Sequence, residues 1–305
     1  MGRVIPELAQ RIADIAADRH SGASQLSLEA RRILTESFAG GCTLEVAAAL
    51  CRAQPAMAPI WNAAIAAVSA LEAPHRWEKA SLRWDRGLRT LEQIALEALR
   101  GADQALHIVT CSQSASVVSV VRRLGEHHSV RVSCSEGRPA LEGQRLAVVL
   151  SNAGIAVDFY TDAGLGTTVD AADMLLVGAD AVGADAWMNK VGTRFLAAAA
   201  HHRGLPVHVL ATVDKLVMPA LWPHLTQRPA AAEEVWPAAP AGIHVRNPYF
   251  EAIPLDLATT VITDLGVLGI DMVPDACRAL ATPAAGRALD ELLAAFDARQ
   301  ANPPS

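Results

Sequence analysis

Apolar residues recur at helical spacing through roughly the first hundred positions. Leu8, Ile12 and Ile15 mark one stripe, and Leu28, Ile33 and Leu34 mark another. Further stripes predict helices near 43–53, 59–72 and 86–100, with Pro55, Pro59 and Pro74 as punctuation. From Ala105 the pattern changes. Short apolar runs at Ala105–Thr110, Val130–Cys134, Ile155–Tyr160, Met174–Val177 and Val207–Ala211 predict strands. Helical patterns from Ser116 to Leu124, over 141–150 and over 190–202 lie between them. Strands alternating with helices imply a parallel sheet covered on both faces. The fold class is therefore α/β: an all-helical N-terminal domain over 1–102, then a Rossmann-like ligand-binding and dimerisation domain over 103–305. Residues 219–243 are rich in Pro and Ala and predict an irregular surface excursion. The stretch Gly286–Gln300 predicts an amphipathic helix packed on the sheet or on a partner.

Open parallel sheets bind ligands beyond the carboxyl ends of their strands. That singles out Cys111-Ser112, Glu136-Gly137-Arg138, Asp162, Asp180 and Thr212–Lys215. Asp180 follows a buried strand, where desolvation raises a carboxyl toward acid/base use. Asn189 and Lys190 are expected at a helix start, whose free N–H groups and dipole suit a phosphate. The plainer alternative is that Asp180 is a turn or cap residue and Lys190 a solvated side chain.

Composition narrows the chemistry. The chain has 305 residues, 51% of them hydrophobic and 19% charged, as in globular proteins. A net charge of -6 argues against a broad nucleic-acid surface. Five scattered cysteines without a CxxC pair argue against a disulfide framework or structural zinc, and for a reducing compartment. The first twenty or so residues carry charges and no apolar core, so no secretory signal is expected; the cytoplasm is the expected location. No apolar run reaches membrane-spanning length. No metal or cofactor is expected. Gly164-Leu165-Gly166 is a weak dinucleotide signal, because Val169 stands where a third glycine belongs. His127-His128 and His201-His202 read as solvated helix ends.

The run VGADAVGADAWMNKVGTRFLAAAAHHRGLPVHVLATVDK carries a resemblance. It has G-A-D, then N-K-x-G-T, an apolar helix, a G-x-P turn, a strand and a lysine. Ser21-Gly22-Ala23, Glu136-Gly137-Arg138-Pro139 with Gly143 and Arg145-Leu146, and Asn247–Glu251 through Thr263–Gly266 follow the same order. From about residue 20 to 275 the chain resembles the family of ribose-1,5-bisphosphate isomerase, methylthioribose-1-phosphate isomerase and the α, β and δ subunits of initiation factor two-B. The resemblance implies that Asp180 is the catalytic aspartate and that Asn189 and Lys190 bind ligand. It implies that Lys215 reaches the substrate phosphate, that Gly22 and Ala23 form the phosphate loop, and that Arg138 stands near the pocket. It also implies dimers through the C-terminal domain, with Val261–Ile270 compatible with that.

Three positions depart from the isomerases. Their T-H-C-x-S cysteine falls on Ser112, with Cys111 one place early. Their loop arginine is Ser21, and their R-P-T motif reads Gln54-Pro55-Ala56, with Arg52 upstream. Two anion-binding arginines are thus absent. The expected function is isomerisation of an aldose 1-phosphate, of ribose-1,5-bisphosphate type, to the ketose 1-phosphate, with Asp180 acting opposite Cys111 or Ser112. The alternative is a non-catalytic, initiation-factor-like subunit that senses a sugar phosphate or nucleotide. The expected partners are a phosphorylated sugar or nucleotide and further copies of the chain in a homodimer or higher oligomer. Neither nucleic acid nor membrane is expected.

Overall fold

A computed structural model describes residues 4–18, 22–100, 105–226 and 230–298. The N-terminal helices are α1 (Pro6–Ala17), α2 (Ala23–Ala39), α3 (Thr43–Ala53), α4 (Ala58–Ser69) and α5 (Pro74–Leu99). Leu8, Ile12 and Ile15 all bury, as their spacing predicts. On α2 the buried stripe is Leu26, Ala30, Ile33 and Leu34, whereas Leu28 is 38% exposed. On α4, Ala63, Ala64 and Ala67 are fully buried, and small side chains there let neighbouring helices approach closely. Helix α5 starts twelve residues before the expected position. Its first half is mostly polar, with Leu82 exposed among the charges and Trp77 buried, and Pro74 at its N-terminus is preset for helix.

The second unit runs β1 (Ala105–Thr110), α6 (Ala115–Gly125), β2 (Ser129–Ser135), α7 (Glu142–Asn152), β3 (Ala156–Tyr160) and β4 (Met174–Gly178). It continues with β5 (Ala181–Val182), β6 (Ala186–Lys190), α8 (Thr193–His202), β7 (Val207–Leu210), β8 (Phe250–Pro254), β9 (Thr260–Thr263), β10 (Gly266–Gly269), α9 (Val273–Ala279) and α10 (Pro283–Ala298). The main sheet has the order β10-β9-β7-β4-β1-β2-β3. All its neighbours are parallel except β10, which pairs antiparallel at the edge. Chain direction along the sheet reverses between β1 and β4, which makes the gap beyond their carboxyl ends the topological switch point. Successive residues alternate between two cores. Ile108, Leu176, Leu210 and Ile262 pack with α5, α6 and α7. Val109, Val177, Val209 and Val261 pack on the face of α8.

The small antiparallel sheet β5-β6-β8 was not foreseen, and it overturns one expectation. Asn189 and Lys190 end strand β6; they do not begin a helix, because α8 starts only at Thr193 after Gly192 at φ +100°. Glycine makes that left-handed corner cheap. The C-terminal helix also differs from expectation. Ala288, Leu289 and Leu292 of α10 join the helical core beside α3 and α4, not the sheet. Arg52 donates to the Ala295 carbonyl at 3.0 Å, and Trp61 meets Phe296 at 5.7 Å between ring centroids. Residues 164–171 form a 3₁₀ turn. No described helix is long and apolar enough to cross a membrane.

Candidate active site

A cavity of about 440 Å³ opens at the switch point, between the helical unit and the main sheet. Gly22, Ala23, Cys111, Ser112, Asp180, Asn189, Lys190 and Lys215 all line it. Ser21 lies outside the described residues. Arg138 does not line the cavity. Its backbone N–H donates to Asp162 at 2.8 Å, and its guanidinium reaches the Val235 carbonyl at 3.3 Å. Asp162 also accepts from the Gly137 amide at 2.9 Å, so it fastens this loop behind the cavity wall. Gln54 donates to the Ile15 carbonyl at 2.7 Å and is likewise outside the lining.

Asp180 leaves the end of β4 with its amide bonded to the Met188 carbonyl at 2.8 Å. Burial pushes its carboxyl above the ordinary value, and the ammonium groups of Lys215 and Lys190 oppose that rise. The glycine of the G-A-D run has a steric reason: a Cβ on Gly178 would lie 2.5 Å from Ser114 Oγ. That hydroxyl caps α6, accepting from the Val117 amide at 3.4 Å.

Lys190 is only 5% exposed and is held from two sides. Its ammonium donates to Glu142 Oε1 at 2.9 Å and lies 4.5 Å from the centre of the Tyr249 ring. Tyr249 is anchored in turn by its hydroxyl, which donates to Glu234 at 2.6 Å. Lys215, equally buried, has no hydrogen bond or ion pair among the described residues. A buried ammonium in that position is a strong attractor for an anion.

Glu142 is the residue that reading the sequence missed. It is buried at the start of α7, and Oε1 accepts from both Lys190 and Ser112, the latter at 3.1 Å; Oε2 has no partner among the described residues. The signal was available in the E-G-x-R-L run. A Cβ on Gly143 would sit 1.7 Å from the Ser135 carbonyl oxygen, so only glycine lets α7 begin this close to β2. That contact delivers Glu142 to the cavity.

The two strand-end residues after β1 diverge. Cys111 continues the parity of Val109 and turns toward α8. Thr193 Oγ1 donates to the Lys190 carbonyl at 2.6 Å and accepts from Asn189 Nδ2 at 3.1 Å. With its proton committed, it accepts from the Cys111 thiol at 3.3 Å. Burial pushes that thiol up to about 11, and the carboxylates of Asp162, Glu142 and Glu251 add to the rise. Cys111 is therefore a neutral thiol near physiological pH. Ser112 takes a left-handed backbone, φ +64°, which is uncommon for a non-glycine residue and aims its hydroxyl at Glu142.

Helix dipoles reach the cavity, though not from the helix expected. The Gly192 and Arg194 amides at the start of α8 donate to Glu251 Oε1 at 2.7 and 2.9 Å, so that terminus is already closed by a carboxylate. Strand register puts Glu251 opposite Asn189, which gives the N-P-Y-F-E run its structural meaning. The first turn of α2, from Gly22 to Gln25, and the start of α6, Ser114-Ala115, face the cavity instead. Gly22 supplies no side-chain cap, and the first amides of a helix have no internal acceptor. Among the described residues, no group of three or more His, Cys, Asp or Glu side chains stands together to hold a metal ion.

Residues 45–269 match the model of the Initiation factor 2 subunit family. The chain belongs to that family. A methylthioribose-1-phosphate isomerase from Exiguobacterium sibiricum is 30% identical over 301 residues, spanning 87% of this chain and 86% of its own. A ribose 1,5-bisphosphate isomerase from Archaeoglobus fulgidus is 31% identical over 173 residues, 54% of each chain. Among solved structures, the translation initiation factor eIF-2B from Pyrococcus horikoshii superposes with a TM-score of 0.72 at 22% identity, over 87% of this chain and 98% of that one. That likeness is one of fold. The family therefore includes both enzymes and translation-factor relatives on one architecture.

Proposed function

We propose that this protein is a sugar-phosphate isomerase that converts a cyclic aldose 1-phosphate to the ketose 1-phosphate, with Asp180 as the catalytic residue. The observation that carries the reading is Asp180 itself: a desolvated carboxyl at the switch point, flanked by two buried lysines. The relatives named as isomerases support the same reaction class. In the reaction the ring oxygen gains a proton as its bond to C1 breaks. The C2 hydroxyl then loses a proton as C2 becomes the carbonyl, and the hydrogen on C2 ends on C1. A carboxyl of raised pKa can perform both transfers, giving the first proton and taking the second. Ser112, aligned by Glu142, is the hydroxyl on the opposite wall and orients the sugar. Lys215 and the starts of α2 and α6 hold the phosphate, and Asn189 and Lys190 hold sugar hydroxyls. The buried inner part of the cavity strengthens these contacts. Leu265, in the turn before the edge strand β10, and Val267 on that strand are exposed, which supports a homodimer through the C-terminal unit.

A sensing role without turnover is the second reading. It is favoured by one observation: the Cys111 thiol and the Ser112 hydroxyl are both already engaged, by Thr193 and Glu142. Incubation with ribose 1-phosphate, 5-methylthioribose 1-phosphate and ribose 1,5-bisphosphate, followed by NMR for the ketose carbonyl, separates the two. Ketose formation that disappears in Asp180→Asn supports the enzyme. Binding of any of these compounds with no ketose from all three rejects it in favour of the sensor.

A further inference from the structure

Among the described residues, Ser112 at φ +64° and Leu141 at φ +55° are the non-glycine residues with a left-handed backbone. They stand at the two ends of one contact. Leu141 directly precedes Glu142, and Ser112 donates to Glu142 Oε1 at 3.1 Å. Two glycines make room for the same carboxylate. A Cβ on Gly143 would collide with the Ser135 carbonyl, and a Cβ on Gly137 would lie 2.9 Å from Glu142 Cδ. Uncommon backbone of this kind persists only where the surrounding structure enforces it, and it gathers at functional sites. Ser112, Gly137, Leu141 and Gly143 thus all serve a single pairing of a hydroxyl with a carboxylate.

The direction of that hydrogen bond decides what Ser112 can do. Ser112 lines the cavity half-buried, and Glu142 is the more deeply buried of the two. A serine hydroxyl has one proton to give and two lone pairs. With its proton committed to Glu142, Ser112 Oγ meets a ligand hydroxyl as an acceptor. Glu142 is ion-paired to Lys190 at 2.9 Å, and its Oε2 has no partner among the described residues. The carboxylate therefore has acceptor capacity to spare. Across the cavity, burial favours the neutral form of Asp180. Asp180 alone could serve both proton transfers only in turn, neutral for the first and charged for the second. The two walls offer an acid and a carboxylate at once.

We infer that Ser112 and Glu142 form a proton relay, in which Ser112 takes the proton of the sugar's C2 hydroxyl and passes its own to Glu142. The relay rests on the isomerase reading of the cavity. As C2 becomes the carbonyl, the electron pair of its O–H bond becomes the second C2–O bond, and the hydrogen on C2 moves to C1 with its bonding pair. The released proton bonds to Ser112 Oγ, while the Ser112 proton crosses its hydrogen bond to Glu142 Oε1. Asp180 ends as the carboxylate after protonating the ring oxygen, and Glu142 ends as the acid. Proton exchange with water after product release restores both. Ser112 is then a catalytic residue, and Glu142 a positioning residue that acts through it.

Steady-state kinetics of the full chain with ribose 1-phosphate, 5-methylthioribose 1-phosphate and ribose 1,5-bisphosphate test the relay, with ketose read by NMR. In Glu142→Gln the amide oxygen accepts from Ser112 as the carboxylate does, but it is far too weak a base to take the proton. That variant is expected to lower kcat by about tenfold to a hundredfold, with KM within about threefold. Ser112→Ala is expected to lose the same factor, and the double variant no more than either alone, because both groups act in one transfer. Losses in KM with kcat intact would mean that the pair only holds the sugar, and losses that multiply in the double variant would mean two separate roles; either overturns the relay. An unchanged kcat in Ser112→Ala, which leaves the ion pair of Glu142 with Lys190 in place, does so even where Glu142→Gln fails to fold. Ketose from none of the three compounds removes the isomerase together with the relay. Ketose at undiminished kcat in the variants keeps the isomerase and removes the relay alone.

Discussion

The two walls of the cavity are built on different plans. On the β4 and β6 side, Asp180, Asn189, Lys190 and Lys215 line the cavity together, and burial gives the charged ones strength. On the β1 side, a thiol and a hydroxyl occupy adjacent positions and face opposite ways, Cys111 to Thr193 and Ser112 to Glu142. The first wall is set by residues in one short run of sequence. The second depends on which face of a strand each residue meets, and a shift of one position there changes the chemistry presented. One wall of this site is set by residues near in the chain, while the other depends on a carboxylate brought in from α7.

The largest expected effect falls on the first wall. Asp180→Asn should lower kcat by about a thousandfold, with ligand affinity from calorimetry changed little. A matching loss of affinity would mean that Asp180 holds the ligand and does not move protons. Next comes the ion pair that joins the walls. Glu142→Ala leaves the Lys190 ammonium buried without its carboxylate, and chemical unfolding should show a loss of roughly 3–5 kcal/mol. A loss near zero would show that Lys190 finds solvent, and that the second wall does not depend on α7.

Smaller effects separate Ser112 from Cys111. Ser112→Ala should reduce kcat/KM by about tenfold to a hundredfold, and Cys111→Ala by less than about threefold. The reverse order would put the thiol back at the reacting atoms. The pH profile gives a further reading of Asp180. Its carboxyl lies above the ordinary value because burial disfavours the charged form. The acid needed to protonate the ring oxygen therefore persists to higher pH than for a free aspartate, and kcat/KM should fall as pH rises through that raised value. A profile falling toward acid instead would make the carboxylate the starting form. The smallest effect is on alkylation. With the Cys111 thiol at about 11, iodoacetamide at pH 8 should leave activity nearly intact over the time that inactivates an exposed thiolate.

Much of this was legible before folding was considered. Leu8, Ile12 and Ile15 announced a helix by spacing, and five of the parallel strands announced themselves as short apolar runs; in the interior strands β1, β4 and β7 burial on both faces leaves little room for polar residues, while the edge strand β3 is half-exposed. Strands β9 and β10 were legible only as an apolar stretch, and β5, β6 and β8 were not read at all. β6 ends in Asn189 and Lys190, whose polarity serves the cavity and masks the strand. The placement of α10 was hidden for a related reason. An amphipathic face reveals that it will be covered, not by what, and here α3 and α4 cover it.

The sequence by itself determined the order of the elements, the fold class, the family and the residues gathered at the switch point. These follow from periodicity and from motifs that are local in the chain. Tertiary structure alone decided that Glu251 and not a ligand closes α8, that Arg138 faces away, and that Glu142, Arg122 and Arg145 share the cavity. Each of those outcomes depends on distances between segments far apart in the chain, and only packing sets such distances. The contact of Gly143 with Ser135 that brings Glu142 beside Ser112 and Lys190 is the plainest case.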